Sequence, residues 1–273
     1  MDRSRGETGW CGGPDGALVA KTMLHKWEEP VLAGSGGSGA IFFGGCTLGC
    51  IYCQNRVISK TAVGRSVNSG ELRGMMEDLI RRGAENIDLV TPTHYLPTII
   101  PALTPKLPVP VVYNCGGYER VETLKKLEGL VDIYLPDLKY TDSTLAGRLS
   151  GAADYFPVAA AAIREMVRQT GPVCFEGEKL VRGTVIRHLI LPGQVENSLR
   201  ALDWIGDTFG PGQVLVSLMR QYTPMPETEN LPPLNRTVTQ EEYDAVLSWM
   251  YLNDLQGFTQ EETAAGERFI PDF

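Results

Sequence analysis

The chain has 273 residues, 43% of them hydrophobic and 21% charged, with a formal net charge of −8. That is enough apolar material for a sizeable core, and the acidic balance argues against DNA or RNA as the main partner, because a non-specific nucleic-acid binder needs clustered Lys and Arg. No run approaches the roughly 18 apolar residues of a membrane span, and "MDRSRGETGW" has no apolar centre of a signal peptide, so no membrane association and a cytoplasmic location are expected.

Residues 1–38 are rich in glycine with little periodicity and are expected to form an irregular N-terminal segment. "GSGGSG" (34–39) ends it, and its glycines suit a backbone that passes close to another group. From residue 40 strand and helix signals alternate. Residues 40–45 read as a first strand. In "SGELRGMMEDLIRRG", Leu72, Met75, Met76, Leu79 and Ile80 recur at helical spacing, which predicts a helix capped by Ser69 and closed at Gly83. Residues 87–90 and 109–113 read as strands, with a proline-bearing helix over 95–103 between them. A helix over 119–127 ends at Gly129, a strand follows over 131–135, and a helical stretch starts at Asp142. The Ala-rich 157–169 predicts a helix, 185–191 a strand, 196–209 a helix and 213–218 the sixth core strand. In the last helix Thr239 and Glu242 have capping-box spacing, and Tyr243, Val246, Leu247 and Met250 share a face.

Short apolar strands, each followed by a helix, imply a parallel sheet covered by helices. Six such units are too few for an eight-stranded barrel, so the expected architecture is α/β, a partial (β/α)6 barrel over residues 39–255, with a C-terminal tail, 256–273, packed on or near it. Chemistry belongs at the carboxyl ends of the strands.

The first of those ends carries "IFFGGCTLGCIYCQN" (41–55), in which Cys46, Cys50 and Cys53 are spaced C-x3-C-x2-C. Three clustered cysteines out of six do not make a disulfide framework and point to a metal. A structural zinc site is closed by four N or S ligands. Here Cys11, Cys115, Cys174, His25, His94 and His188 are distant in sequence and show no paired ligand spacing. A four-iron cubane held by three cysteines keeps one iron open for substrate. The plainer alternatives are a zinc knuckle or buried cysteines in a turn, and with them a non-catalytic iron–sulfur or zinc binding protein.

At these residues the sequence resembles the radical S-adenosylmethionine (SAM) superfamily, whose signature is C-x3-C-x-aromatic-C after the first strand of a (β/α)6 partial barrel; the aromatic here is Tyr52. The resemblance implies an enzyme. Cys46, Cys50 and Cys53 would hold a [4Fe-4S] cluster, SAM would bind its open iron, and reductive cleavage would give a 5'-deoxyadenosyl radical for hydrogen abstraction. Within the superfamily the blocks "FFGGCTLGCIYCQN", "LVTPTHYLP", "YNCGGYE", "YLPDLKY" and "IRHLILPG" look most like the pyruvate formate-lyase activating enzyme and its relatives. That implies a flavodoxin- or ferredoxin-type electron donor. The target is left as a glycyl radical enzyme, a peptide or a small molecule.

The remaining blocks follow the same resemblance. Thr91, Pro92 and Thr93 stand where the wider family has a Gly-Gly-Glu stretch, so only a backbone role toward SAM carries over; the alternative is a Pro-rich turn with a satisfied His94. Asn114 replaces an acidic cation ligand. Asp137 and Lys139 match an Asp-x-Lys pair near SAM, against a plain surface ion pair. Arg187 resembles a residue near the SAM carboxylate, against a solvated charge, while His188 falls on the opposite strand face and reads as structural. After the sixth strand Arg220, Gln221 and Tyr222 stand in place of a histidine near the adenosine. "GETGWCGG" resembles the end of a segment that carries further cysteines in the subgroup; none precedes Cys11 here, which is expected to take no part in a metal site.

Overall fold

A computed structural model of the protein describes residues 11–14, 16–61 and 63–260. The chain runs β1 (Ala17–His25), α1 (Pro30–Ala33), β2 (Ser38–Phe43), α2 (Arg56–Ser59), β3 (Arg65–Val67), α3 (Ser69–Arg81), β4 (Ile87–Val90), α4 (Leu96–Ala102), β5 (Val111–Cys115), α5 (Val121–Leu124) and β6 (Ile133–Pro136). It continues through α6 (Ser143–Ser150), α7 (Tyr155–Thr170), β7 (Cys174–Glu176), β8 (Lys179–Leu189), α8 (Val195–Thr208), β9 (Leu215–Met219), α9 (Gln240–Leu252) and β10 (Gly257–Thr259). The strand order is β10-β9-β8-β6-β5-β4-β2-β1-β3, and β7 forms a hairpin with β8. From β2 to β10 every pairing on this path is parallel. The sheet curves without closing, so the expected partial (β/α)6 barrel is present. Among the described residues no helix is long and apolar enough to cross a membrane.

The N-terminal expectation is corrected. Residues 17–25 are a strand antiparallel to β2, extended on its other side by β3. "ALVAKTMLH" lacks clean alternation because its middle, Ala20 to Leu24, is half-exposed throughout, with Leu24 touching one core cluster and Ala20 and Met23 another, so its strand state comes from pairing with β2 rather than from a local pattern. Two details differ elsewhere. Asn68, not Ser69, caps α3: its side chain accepts from Glu71 N–H while the Glu71 carboxylate accepts from Asn68 N–H. The helix expected over 119–127 is one α-turn followed by a 3₁₀ turn at Lys125–Leu127. The Thr239–Glu242 capping box is present; such caps contribute about 1 kcal/mol each. Of the tail, residues up to 260 add β10 to the open edge of β9, and 261–273 lie outside the described residues.

Period-two alternation divides each parallel strand into two faces. Ile87, Leu89, Tyr113, Tyr134, Val216 and Leu218 pack outward against the helices in two large cores. On the inner face Val112, Leu135, Val185 and Leu215 meet Leu32 of α1 in an apolar plug. Two residues further along the same strands the inner positions become Asn114, Asp137, Arg187 and Ser217. The sheet register puts Asp137 beside Arg187 and Arg187 beside Ser217. Apolar packing below therefore gives way to a polar layer at the strand ends.

Candidate functional site

The cysteine loop leaves β2 through Gly44 and Gly45. Gly45 has φ +81°, and a Cβ there would lie 2.2 Å from the Cys11 carbonyl oxygen, so only glycine fits the turn. The loop is tied by backbone bonds, Gly44 N–H to Leu18, Gly45 N–H to Ile58, Gly49 N–H to Ser150 and Ile51 N–H to Leu149. His94 Nε2 and the Tyr95 hydroxyl both donate to the Gly44 carbonyl, each at 2.9 Å. His94 thus braces the loop from behind.

Each of the three sulfurs accepts a hydrogen bond. Leu48 N–H donates to Cys46 at 3.4 Å, the Ser150 hydroxyl to Cys50 at 2.9 Å and the Ser59 hydroxyl to Cys53 at 3.4 Å. Behind Cys50 the bonds continue as a chain, Tyr52 hydroxyl to Tyr140 hydroxyl to Ser150 hydroxyl, each link 2.6 Å. Tyr52 is buried and packs on Tyr222, so its role is this support as much as any direct contact. Burial, together with the neighbouring Cys50 and Cys53, pushes the Cys46 thiol up to about 12. Burial raises the Cys50 thiol as well, so these two stay protonated unless a cationic group takes them as thiolates. Among the described residues no three His, Cys, Asp or Glu side chains group as ligands of a single ion. Sulfurs spread around one cleft, each with its own donor, fit a group offering one iron to each thiolate.

The three cysteines line a cleft of about 230 Å³ at the strand ends, together with Tyr52, Thr91, Asn114, Asp137, Lys139 and Arg187. Six sequence-predicted SAM residues are thereby brought beside the thiols. Pro92 and Thr93 do not line it; the Thr93 hydroxyl donates to the buried Glu119 at 2.5 Å. Thr91 has φ +61°, rare for a β-branched residue, and its N–H donates to the Asn114 carbonyl.

Asp137 is the centre of the polar layer. Arg187 Nε donates to its Oδ1 at 2.9 Å and Lys139 Nζ to its Oδ2 at 2.5 Å. Arg187 Nη2 donates to Asn114 Oδ1 at 2.6 Å, and Asn114 Nδ2 to Asp88 Oδ2 at 3.4 Å. The pair is not a surface ion pair, and Arg187 is not a solvated charge: the Asp137, Lys139 and Arg187 side chains are 14, 18 and 16% exposed. Burial raises the Asp137 carboxyl, but Arg187 and Lys139 outweigh it and hold it below its usual range. Burial likewise pulls Lys139 down, and the Asp137 carboxylate more than offsets this, leaving it raised. The trio carries one net positive charge beside the thiols.

Three supports were not legible in the sequence. Tyr155 donates to the Asp137 carbonyl at 2.6 Å and accepts from Lys139 N–H at 3.0 Å, which fixes the end of β6. Ser150 and Ser59 reach the sulfurs from α6 and α2. Asp88 could have been found, as the one charge inside the apolar run "IDLV". His188 is buried between the Leu138 carbonyl and the Ser198 hydroxyl, and burial lowers it to about 4, so it is neutral and structural.

The fold is that of radical SAM enzymes. SuiB of Streptococcus suis, solved with the precursor peptide SuiA, superposes with a TM-score of 0.55 at 13% identity, covering 80% of this chain and 47% of its own. A radical SAM methyltransferase from Sphaerobacter thermophilus gives 0.55 at 14% identity, over 81% of this chain and 66% of that one. This chain therefore spans about half the length of SuiB. Among sequences, it is 28% identical over 252 residues to an uncharacterized protein of Methanocaldococcus jannaschii, covering 88% of this chain and 69% of that protein. No protein-family model matches.

Proposed function

We propose that the protein is a radical SAM enzyme. Cys46, Cys50 and Cys53 hold a [4Fe-4S] cluster, and SAM occupies the cleft they line. The observation that carries this reading is the convergence of three hydrogen-bonded thiols with the Asp137–Lys139–Arg187 trio at the strand ends of this fold. SuiB, whose fold this chain shares, has been solved with S-adenosylmethionine. When bound, the cluster and SAM supply one-electron cleavage of the sulfonium and a 5'-deoxyadenosyl radical that takes hydrogen from a substrate.

The chain's own residues bind and orient. Both Asp137 oxygens are occupied, so the outward face of the trio is cationic and suits the SAM carboxylate. The strained turn at Thr91 presents backbone to the SAM ammonium. Tyr52, Tyr140 and Ser150 hold Cys50 in place, and Leu48 and Met219 give the cleft apolar wall that limits water. A flavodoxin- or ferredoxin-type protein supplies the electron. The hydrogen donor is a small molecule, a peptide or a glycyl radical enzyme; Asn114 in place of an acidic residue and the absence of a histidine after β9 weigh against pyruvate formate-lyase itself as the target.

The test is anaerobic reconstitution followed by reductant and SAM. About four irons per chain and formation of 5'-deoxyadenosine are expected. Alanine at any one of Cys46, Cys50 or Cys53 abolishes the product. If all three single variants still split SAM, the assignment is wrong; iron without 5'-deoxyadenosine in the native protein identifies a non-catalytic iron–sulfur protein instead.

A further inference from the structure

A second cavity, of about 220 Å³, adjoins the cleft inside the barrel. Arg187, Met219 and Gln221 line both. Its far wall is the turn between β1 and α1, with His25, Glu28 and Glu29, and its apolar sides are Trp27, Pro30 and Phe258. Glu29 is 9% and His25 8% exposed, yet Glu29 Oε2 and His25 Nδ1 have no hydrogen-bond partner among the described residues. Asp88, 1% exposed on β4, leaves Oδ1 in the same condition. Glu29 also occupies the N-cap position of α1 without capping it.

The charges do not balance here. Glu28, Glu29 and Asp88 lie near Arg187, but the Arg187 nitrogens that make hydrogen bonds are spent on Asp137 and Asn114. His25 Nε2 stands 3.7 Å from Glu28 Oε1, and burial lowers its pKa, so the imidazole is mainly neutral at pH 7. Buried carboxylates in this state need protons or a cation. Burial pushes Asp88 up to about 7, and burial, then Asp88 and Glu29, push Glu28 well above its usual range.

We infer that this cavity is the substrate subsite of the proposed enzyme, and that it takes an ammonium group on an aliphatic stem. Glu28 and Glu29 accept from the ammonium, and the apolar sides hold the stem. No three carboxylate or imidazole ligands converge on a single ion among the described residues, whereas an alkylammonium needs only two or three acceptors and gains from apolar and aromatic walls. The opening toward Met219 and Gln221 points the stem at the SAM cleft. This inference rests on the reading above.

The experiment is calorimetric titration of the reconstituted protein with n-pentylamine, with 1-pentanol as the uncharged control. Saturable binding of the amine is expected, with the alcohol at least tenfold weaker. Glu28→Gln and Glu29→Gln, each checked for native thermal unfolding, should each weaken the amine tenfold or more. Equal binding of amine and alcohol, no amine binding, or unchanged binding in both variants overturns the subsite. So does stoichiometric Mn²⁺ binding by EPR that is lost in Glu29→Gln, since the site would then hold a metal. Nα-acetyl-lysine methylamide separates the sources: tighter binding than pentylamine assigns the ammonium to a peptide lysine, weaker binding to a free amine, and either supports the site. SAM cleavage without amine binding sinks this inference alone. Amine binding without SAM cleavage sinks the proposed function and leaves a cation site.

Discussion

Asp137 bears a concentrated demand, because two largely covered cations share it. Asp137→Asn should cost about 3 kcal/mol or more in urea unfolding at pH 7, since Lys139 and Arg187 lose their common anion. The pH sense follows from its depressed pKa. Its stabilisation is fully present above the unfolded value and is lost as pH falls through the folded one, so wild type and variant should converge in acid. A gap that stays constant down to pH 2 would show that the carboxylate charge is not what matters. Ser150 gives a second test. Its hydroxyl donates to Cys50 Sγ and so would favour the more negative, reduced form of the proposed cluster; Ser150→Ala should lower the midpoint potential of the reconstituted protein in a redox titration while keeping full iron content. What was legible at this scale were the thiols, Asp137, Lys139 and Arg187, because each sits in a short block at a strand end. Tyr155 and Ser150 were not, because a hydroxyl in a helix carries no local pattern showing which loop it meets.

Among elements, the end of β6 is set by α7 rather than by the sheet alone. The Tyr155 hydroxyl lies between the Asp137 carbonyl and Lys139 N–H, and lies 2.8 Å from the Gly116 carbonyl as well. Tyr155→Phe should cost about 1–3 kcal/mol, because buried backbone groups lose a partner, and should raise the SAM concentration needed for half-maximal cleavage more than it lowers the rate at saturation. A variant with native stability and SAM dependence would remove α7 from the site. The six core strands and their helices could be read in chain order because each is apolar on a period of its own. β1 and the β7–β8 hairpin could not. β7 is exposed throughout and β1 is half-exposed in its middle, so their extended state depends on a partner strand elsewhere in the chain.

At the scale of the molecule, an open sheet has two edges, and stability should grade inward from them. Amide hydrogen exchange should be fast in β3 and β10, each three residues long with one partner, and slowest in β5 and β6, buried on both sides. Uniform protection across the sheet would mean that it opens only as one unit. Openness itself was legible from the count of βα units, too few to close a barrel. What fills the gap was not, since β10 and the turn after β1 reach it from segments outside those units.

That arrangement separates two kinds of inheritance. The thiol loop and the Asp137 trio are built by the repeating strands, where a change disturbs neighbours on both faces. The wall made by Glu28, Glu29 and Phe258 hangs on a four-residue helix and a three-residue edge strand. Only Phe258 of that wall touches the inner apolar plug, and none of the three sets the register of the central parallel strands, so under the proposed function a lineage could acquire a new substrate by altering a few residues there while the half that would generate the radical stays fixed.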